Sequence, residues 1–580
     1  MKSFRYEIPF LRKIDNVLKT FSLTEKIVFG VLVIVFLSSV FYMFAKAYGT
    51  LLVEVPEKGG TLKEGVLGTP RFINPVLALS DADRDMIALV YSGLMKAQPD
   101  GTLVNDLAES YSISDDGLNY TFTLKPDLVF HDGEPITSED VVFTINRAKD
   151  PAIKSPRKST WDGVTVEAIG QKQVKFTLPQ PYAPFLENAT MGILPKNVWK
   201  NITAEEFSFS EYNTKPVGSG PFEVSDIKKD STGSPYQFTL KPFDNHAGHE
   251  PYLKKIIVYT FGTIEKLKSA MLNGSIDSSF APSSSVAKEL YDAGINYTKS
   301  TSPRIFSVFF NQNQNELFLE LEVREALDVA IDRDQIVSSV LNGFGTTLYG
   351  PLSQDILDDR TIYSDIDMFT SSESRILRAQ QILENAKWTK NEETGVYEKK
   401  KGTKTLSLAF SISTSDVPDL KATAEIVKSM WQKVGADVEV KIYESGDLNQ
   451  NILRPRKYDS LLFGEIVGRD LDLFPFWHSS QRNDPGLNIA QYANIKTDKL
   501  LEDIRTDQDF KNKLDSVQKV LKEIHNDHPA VFLYSPDFIY FVPKDIKNIE
   551  TGHITIPAER FLNVNEWYKY TNKILSIFNN

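Results

Sequence analysis

The chain has 580 residues, 41% of them hydrophobic and 24% charged, with a net charge of −12 and no cysteine. Such a length supplies roughly two to four domains or lobes, each with its own core. The missing cysteine excludes disulfides, thiolate metal sites, cysteine nucleophiles and lipid attachment through an N-terminal cysteine.

Residues 27–45 (IVFGVLVIVFLSSVFYMFA) carry no charge and can cross a bilayer core as a helix. Six basic and three acidic side chains precede them in residues 1–26. A basic flank stays cytoplasmic, so the bulk of the chain is expected outside. Ala45-Lys46-Ala47 has the form of a signal-peptidase site. The apolar run is long for a cleaved signal, however, and the leader before it is longer than usual. The expectation is a cytoplasmic leader, 1–26, and an uncleaved single-pass anchor, 27–48. Residues 1–46 hold seven basic and three acidic side chains, so the remainder carries 58 basic against 74 acidic, a net of −16. An acidic exterior part is a poor partner for nucleic acid, and none is expected.

Beyond a polar link, Thr61–Val66 reads as a strand, running into the proline-fixed loop Thr69-Pro70-Arg71-Phe72-Ile73-Asn74-Pro75. Asp83–Leu94 has helical spacing. Tyr120, Phe122 and Leu124 alternate with Thr121 and Thr123, the pattern of a half-buried strand between the turns Asp116-Gly117 and Asp132-Gly133. Thr137, with Asp140 three residues on, then starts a helix. Turn chemistry accounts for His131 and Asp132. Strands follow at Thr165–Ala168 and Val174–Leu178, and a stiff turn at Pro216-Val217-Gly218-Ser219-Gly220-Pro221-Phe222. Leu253–Phe261 is a strand and Ile264–Asn273 a helix ended by Gly274. Arg304–Asn311 is a strand, Val323–Arg333 an amphipathic helix and Ser374–Ala386 another helix. Lys399–Lys401 reads as solvated surface. Strand Leu406–Ser411, helix Asp419–Val434 with Gly435 as its cap, strand Val438–Ile442 and strand Tyr458–Phe463 complete an α/β pattern.

Chemistry-bearing motifs are absent. The histidine pairs at i, i+3 do not form His-Glu-x-x-His, so no metal is expected. Gly218-Ser219-Gly220 lacks the spacing of a nucleophile elbow, and no phosphate loop occurs. The residues point to a binding protein and away from an enzyme, with no cofactor.

The order of motifs resembles the family 5 extracellular solute-binding proteins, the oligopeptide- and dipeptide-binding class that serves ABC importers. Leu107–Leu124 carries that family's first motif, with Tyr111 for the usual Trp. Phe130–Phe143 carries the second. Pro216–Phe222 carries the third, with Ser219 for Thr and Phe222 for Tyr. Val323–Ile336, Trp477–Ser479 and Asn488–Leu500 carry the rest. The match runs from about Gly59 to Val564.

The resemblance implies an α/β, two-lobed periplasmic-binding-protein-like fold (class II, with an extra subdomain) behind the one transmembrane helix. Lobe I would comprise 57–100, 205–303 and 530–570, the extra subdomain 101–204, and lobe II 304–529. Ligand would lie between closing lobes. A peptide or other small polar solute, an ABC permease and the membrane are the expected partners, and a monomer is the expected state. Thr69, Arg71, Phe72 and Asn74 match the ligand edge of lobe I. Gly464, Glu465, Arg469 and Asp470 match that of lobe II, with Trp477 and Asn488 nearby. In peptide binders the lobe II edge carries an aspartate that pairs with the peptide's α-amine. Here Gly468 (or Val467) stands at that position, Leu471 replaces a proline, and Glu465 replaces an aromatic residue. Glu465 or Asp470 can supply the missing carboxylate, and Arg469 can hold a ligand carboxylate; Arg469 and Asp470 can also simply pair with each other. Trp477 suits either a stacking role or the lobe core. A non-transport surface sensor or cell-envelope interaction protein on the same fold is the alternative.

Overall fold

The computed structural model describes residues 17, 19–50, 52–182, 184–352, 362, 371–469, 471–507, 510–552 and 554–575. Asp470 and most of the basic leader lie outside them.

Met1–Lys58 and Tyr568–Asn580 form one unit. Its helix spans Leu23–Thr50, 28 residues. At 1.5 Å per residue that is about 42 Å, more than the ~30 Å of a hydrocarbon core. The helix starts ahead of the charge-free run because Ser22 and Glu25 cap each other, the Ser22 N–H donating to Glu25 at 2.8 Å. Between Leu23 and Phe44 nearly all its apolar side chains are exposed, Ile34 to 65% and Phe36 to 66%. The strand Leu52–Glu57 that follows pairs antiparallel with Tyr570–Leu575.

Gly59–Trp567 forms the second unit and holds two lobes. In the first, strand Thr61–Leu67 lies parallel to Lys255–Phe261, and Pro235–Pro242 and Phe222–Lys229 extend the sheet antiparallel. Its core continues into a second, antiparallel sheet of Ala108–Ile113, Asn119–Leu124, Gln173–Thr177 and Thr165–Ile169. There Tyr120, Phe122 and Leu124 are buried and the threonines between them half-buried, as their alternation requires. Helix Ser138–Lys149 begins where the Asp140 carboxylate accepts from the Thr137 N–H and hydroxyl, both at 2.9 Å.

In the second lobe, Arg304–Phe310 pairs antiparallel with Ser460–Ile466, which lies parallel to Ala409–Ser415, itself parallel to Asp437–Tyr443. Alternate side chains fill two cores, Val308, Phe310 and Leu462 on one face and Ile305, Phe309 and Leu461 on the other. Strand Ala530–Phe541 belongs to both lobes. Its first half pairs with Arg304–Phe310, and its second half with Tyr297–Thr301 and Ser279–Phe280. The chain crosses a second time beside it, between Thr301 and Arg304.

Several expected elements are corrected. The 323–333 helix is broken into Leu321–Val329 and Arg333–Val340, because the Asp332 carboxylate accepts from the Gln335 N–H and caps a new helix. Arg333 then turns inward to pair with Asp328. The 406–411 strand is divided between two sheets, Lys404–Ser407 pairing with Tyr397–Lys401 while Ala409–Ser415 enters the main sheet. Lys399 and Lys401 are not simply solvated. Lys399 contacts Glu320 at 2.8 Å and Glu322 at 2.5 Å, and Lys401 contacts Glu320 at 2.7 Å. Hydrogen bonds from both lysines lower the Glu320 carboxyl to about 2.

Candidate functional site

A cleft of about 670 Å³ opens between the lobes. The first lobe contributes Arg84, Ile87 and Ala88 from helix Asp81–Val90, then Tyr91, with Arg157 and Trp161 beside them. The second contributes Arg304, Ile466 and Arg469. The segment from Thr555 to Asn565, after the shared strand, closes one side.

Local chemistry fixes the helical wall. Ser80 caps helix Asp81–Val90, and the Asp83 side chain completes the capping box. The same Asp83 carboxylate accepts from the Arg71 N–H at 2.7 Å and the Phe72 N–H at 2.8 Å. The loop carrying Thr69, Arg71 and Phe72 is thereby tied to the helix start. The helix ends about one turn earlier than expected, at Val90 and not Leu94, because the Pro216–Phe222 turn packs against it. The Gly220 N–H donates to the Val90 carbonyl at 2.8 Å. A Cβ on Gly218 would stand 2.0 Å from that oxygen, so only glycine allows the approach. His131 secures the turn: its Nδ1 accepts from the Gly218 N–H at 3.3 Å and its Nε2–H donates to the Gly220 carbonyl at 3.1 Å. That is the neutral Nε2–H tautomer, and burial lowers the His131 pKa accordingly.

On the facing wall, the Arg469 guanidinium meets Glu559 at 2.5 Å. Glu559 is also held by Thr555, whose N–H and hydroxyl both donate to it at 2.6 Å. Arg469 Nε and Nη2 nevertheless make no aligned hydrogen bond among the described residues, and neither do Tyr91 Oη and Trp161 Nε1. All four atoms are buried on residues that line the cleft. Such unsatisfied donors cost free energy until a group of matching polarity meets them.

Of the expected site residues, the cleft lining includes Arg469 and none of the other described ones. Asn74 is buried, bonding Asn213 and capping the turn at Val76. Strand Ser460–Ile466 runs further than the expected 458–463, so Gly464 and Glu465 lie within it, opposite Phe306 and Ile305. A Cβ on Gly464 would stand 2.6 Å from the Phe306 ring. Glu465 is buried, Oε1 has no hydrogen-bond partner among the described residues, and burial raises its pKa well above the usual carboxylate range. Leu471 has φ +57, which proline, fixed near −65°, cannot adopt. Trp477 packs among Phe309, Tyr492 and Phe532 in the lobe core. The Asn488 amide donates to the carbonyls of His478 and Tyr492. Tyr91, Trp161, Arg157, Arg304 and Glu559 escaped the sequence reading. Glu559 lies some 90 residues beyond Arg469, with no motif to connect them. Among the described residues, no group of three or more His, Asp or Glu is placed to hold a metal ion.

Two α/β lobes, two crossings and a polar cleft between them define a solute-binding protein. The chain belongs to the bacterial extracellular solute-binding proteins, family 5, whose middle-region model matches residues 102–485. It is 29% identical over 531 residues to the oligopeptide-binding protein AppA of Bacillus subtilis, covering 88% of this chain and 92% of that one. The solved structure of that protein in complex with a nonapeptide superposes with a TM-score of 0.66 at 27% identity, covering 89% of this chain and 100% of the other. NikZ of Campylobacter jejuni in complex with Ni(L-His) gives the same TM-score and identity, with 88% and 99% covered.

Proposed function

We propose that this protein captures peptides between its two lobes outside the cytoplasm and delivers them to an ABC permease, held at the membrane by helix Leu23–Thr50 as a single-pass anchor. The observation that carries the reading is the inter-lobe cleft with polar atoms left without hydrogen bonds among the described residues on both walls, Tyr91 Oη and Trp161 Nε1 on one and Arg469 Nε on the other. Extended peptides offer backbone carbonyls to such donors, and this mode of binding leaves side-chain identity loosely specified. Arg469 is the expected site residue we assign to the ligand. Thr69–Asn74 and Gly464–Glu465 shape the walls behind it. We place the lobes close to where the sequence suggested, 59–100, 205–303 and the C-terminal return as far as Trp567 in the first, with 101–204 as its subdomain and 304–529 in the second. The C-terminal return crosses between the lobes within strand Ala530–Phe541. The protein works as a monomer and performs no catalysis.

Native mass spectrometry of the full chain, gently released from detergent micelles, tests the reading. Co-purified peptides of mixed sequence are expected. A protein that stays empty and shows no thermal shift with any peptide pool would count against it. Membrane fractionation tests the anchor: the full chain should resist alkaline extraction, and a chain lacking residues 1–50 should be soluble. Extraction of the full chain by alkali would refute anchoring.

A further inference from the structure

The exterior part of the chain is acidic, yet the cleft is not. Five basic and four acidic side chains line it. Most of them answer one another. Arg84 pairs with Asp81 at 2.9 Å, Arg469 meets Glu559 at 2.5 Å, and Lys96 lies in the field of Asp106. Glu187, the fourth acid, also has a partner within the protein. Arg157 and Arg304 remain, one on each lobe. Neither side chain has an ion pair or hydrogen bond among the described residues, and both residues are exposed. Arg157 also has a like charge beside it. Lost hydration in the recess, and then Arg84, weaken its hold on its proton. Two arginines unpaired among the described residues, one of them close to a third, form an arrangement that favours an arriving anion. On the acidic side, Glu559 is held by Thr555 and Arg469, and Glu465 is buried away from the cleft lining. The lobe II position that the family resemblance aligns with an amine-binding aspartate is Gly468 or Val467, neither of them acidic.

We propose that the cleft selects net-anionic peptides, those with more carboxylates than amines, and that Arg157 and Arg304 anchor ligand carboxylates from opposite lobes. This rests on the peptide-binding reading above. A guanidinium holds a carboxylate through two parallel N–H donors, so each anchor adds specificity as well as attraction. Because the two sit on different lobes, a ligand carrying two acidic groups also draws the lobes together.

The test is calorimetric titration of the full chain in micelles with three pools of three- to five-residue peptides: glutamate- and aspartate-rich, alanine- and serine-rich, and lysine-rich. The acidic pool should bind at least about tenfold tighter than the neutral one, and the lysine-rich pool weakest. The preference should shrink at about 0.5 M salt. Arg157→Gln and Arg304→Gln should each weaken acidic-pool binding about tenfold and narrow the acidic-to-neutral ratio. Both side chains are exposed, so folding should survive; circular dichroism checks this. Equal or tighter binding of the neutral or lysine-rich pool overturns the charge selection and leaves peptide binding standing. Unchanged acidic affinity in both variants overturns the anchor assignment. Binding of none of the pools overturns the peptide reading and this inference together.

Discussion

Glu465 carries a cost that depends on pH. Its carboxyl is buried beside Tyr458, and Oε1 has no partner among the described residues. Burial raises its folded-state pKa well above the value in an unfolded chain. The folded state therefore holds a proton that the unfolded state releases. Stability from this group is complete below the unfolded pKa, about 4.3, and is lost as pH rises towards the folded one. Glu465→Gln should match the parent at acid pH and exceed it increasingly above. The gap should open by about 1.4 kcal/mol per pH unit within that window. Thermal melts of both proteins between pH 4 and 8 (roughly the span between the reference carboxylate and neutrality) would show it. A constant difference across that range would mean that Glu465 stays ionised. His131 has the opposite sign. Its lowered pKa means that the unfolded state binds a proton first, so its contribution is present above the usual histidine value and declines as pH falls. His131→Ala removes two hydrogen bonds to the glycine turn and should cost about 1–3 kcal/mol in denaturant titrations. Peptide affinity should hold, since the ring is not in the cleft lining; a large loss of affinity with unchanged stability would contradict the structural role.

Helix Asp81–Val90 is the element through which sequence motif becomes binding wall. At its start, Asp83 accepts four backbone N–H groups, from Arg71, Phe72, Leu79 and Ser80. Asp83→Ala leaves them without that acceptor. The expected loss is about 2–4 kcal/mol, more than an ordinary cap, because the loop before the helix is released as well. A loss within a few tenths of a kcal/mol in urea unfolding would show that the loop keeps its shape unaided. At its end, Val90 receives the glycine turn. Gly218→Ala drives a methyl into a backbone carbonyl, which cannot swing aside as a side chain would. About 3 kcal/mol of destabilisation is expected, with a weakened cleft wall at Tyr91. A crystal structure of a fully stable Gly218→Ala protein with the helix undisplaced would refute that account.

At the scale of the whole molecule, the lobes also touch away from the crossings. One such contact joins Arg469 to Glu559. In another, the Arg505 guanidinium, fixed by Asp472, lies 5.5 Å from the centre of the Tyr182 ring. Closure of two lobes joined at two crossings balances such contacts against the hydration of an open cleft. Arg469→Ala removes the first of them and leaves Glu559 with its Thr555 bonds. Ser112→Cys and Glu439→Cys, in a chain otherwise free of cysteine, provide spin-label sites on the two lobes. The label distance should lengthen and its distribution widen in the Arg469→Ala background. An unchanged distribution would show that the crossings alone set the closure.

Much of this can be read along the chain because it is local. The Tyr120–Leu124 alternation and the Thr137–Asp140 cap involve partners within a few residues, whereas the Gly218 turn is fixed by Val90 and His131, far away in sequence. The apolar run at 27–45 announces its helix locally, as the alternation announces its strand. The helical spacing that begins at Val323, by contrast, does not reveal that Asp332 ends one helix by starting the next. The cleft is legible only as a location. Arg469 can be placed from the edge of a strand, but its partner Glu559 is brought to it by a C-terminal return of the chain. Trp477 faces inward because of Phe309 and Phe532, supplied by strands far away in sequence. Arg157 and Arg304 look like any surface arginines until the lobes set them against one cavity without acids to answer them. Sequence determined the family, the approximate place of most elements and the absence of catalytic motifs, since propensity, capping and turn chemistry act over a few residues. Tertiary structure alone decided which polar groups meet across the cleft, because burial and pairing depend on distances that only the arrangement of the two lobes creates.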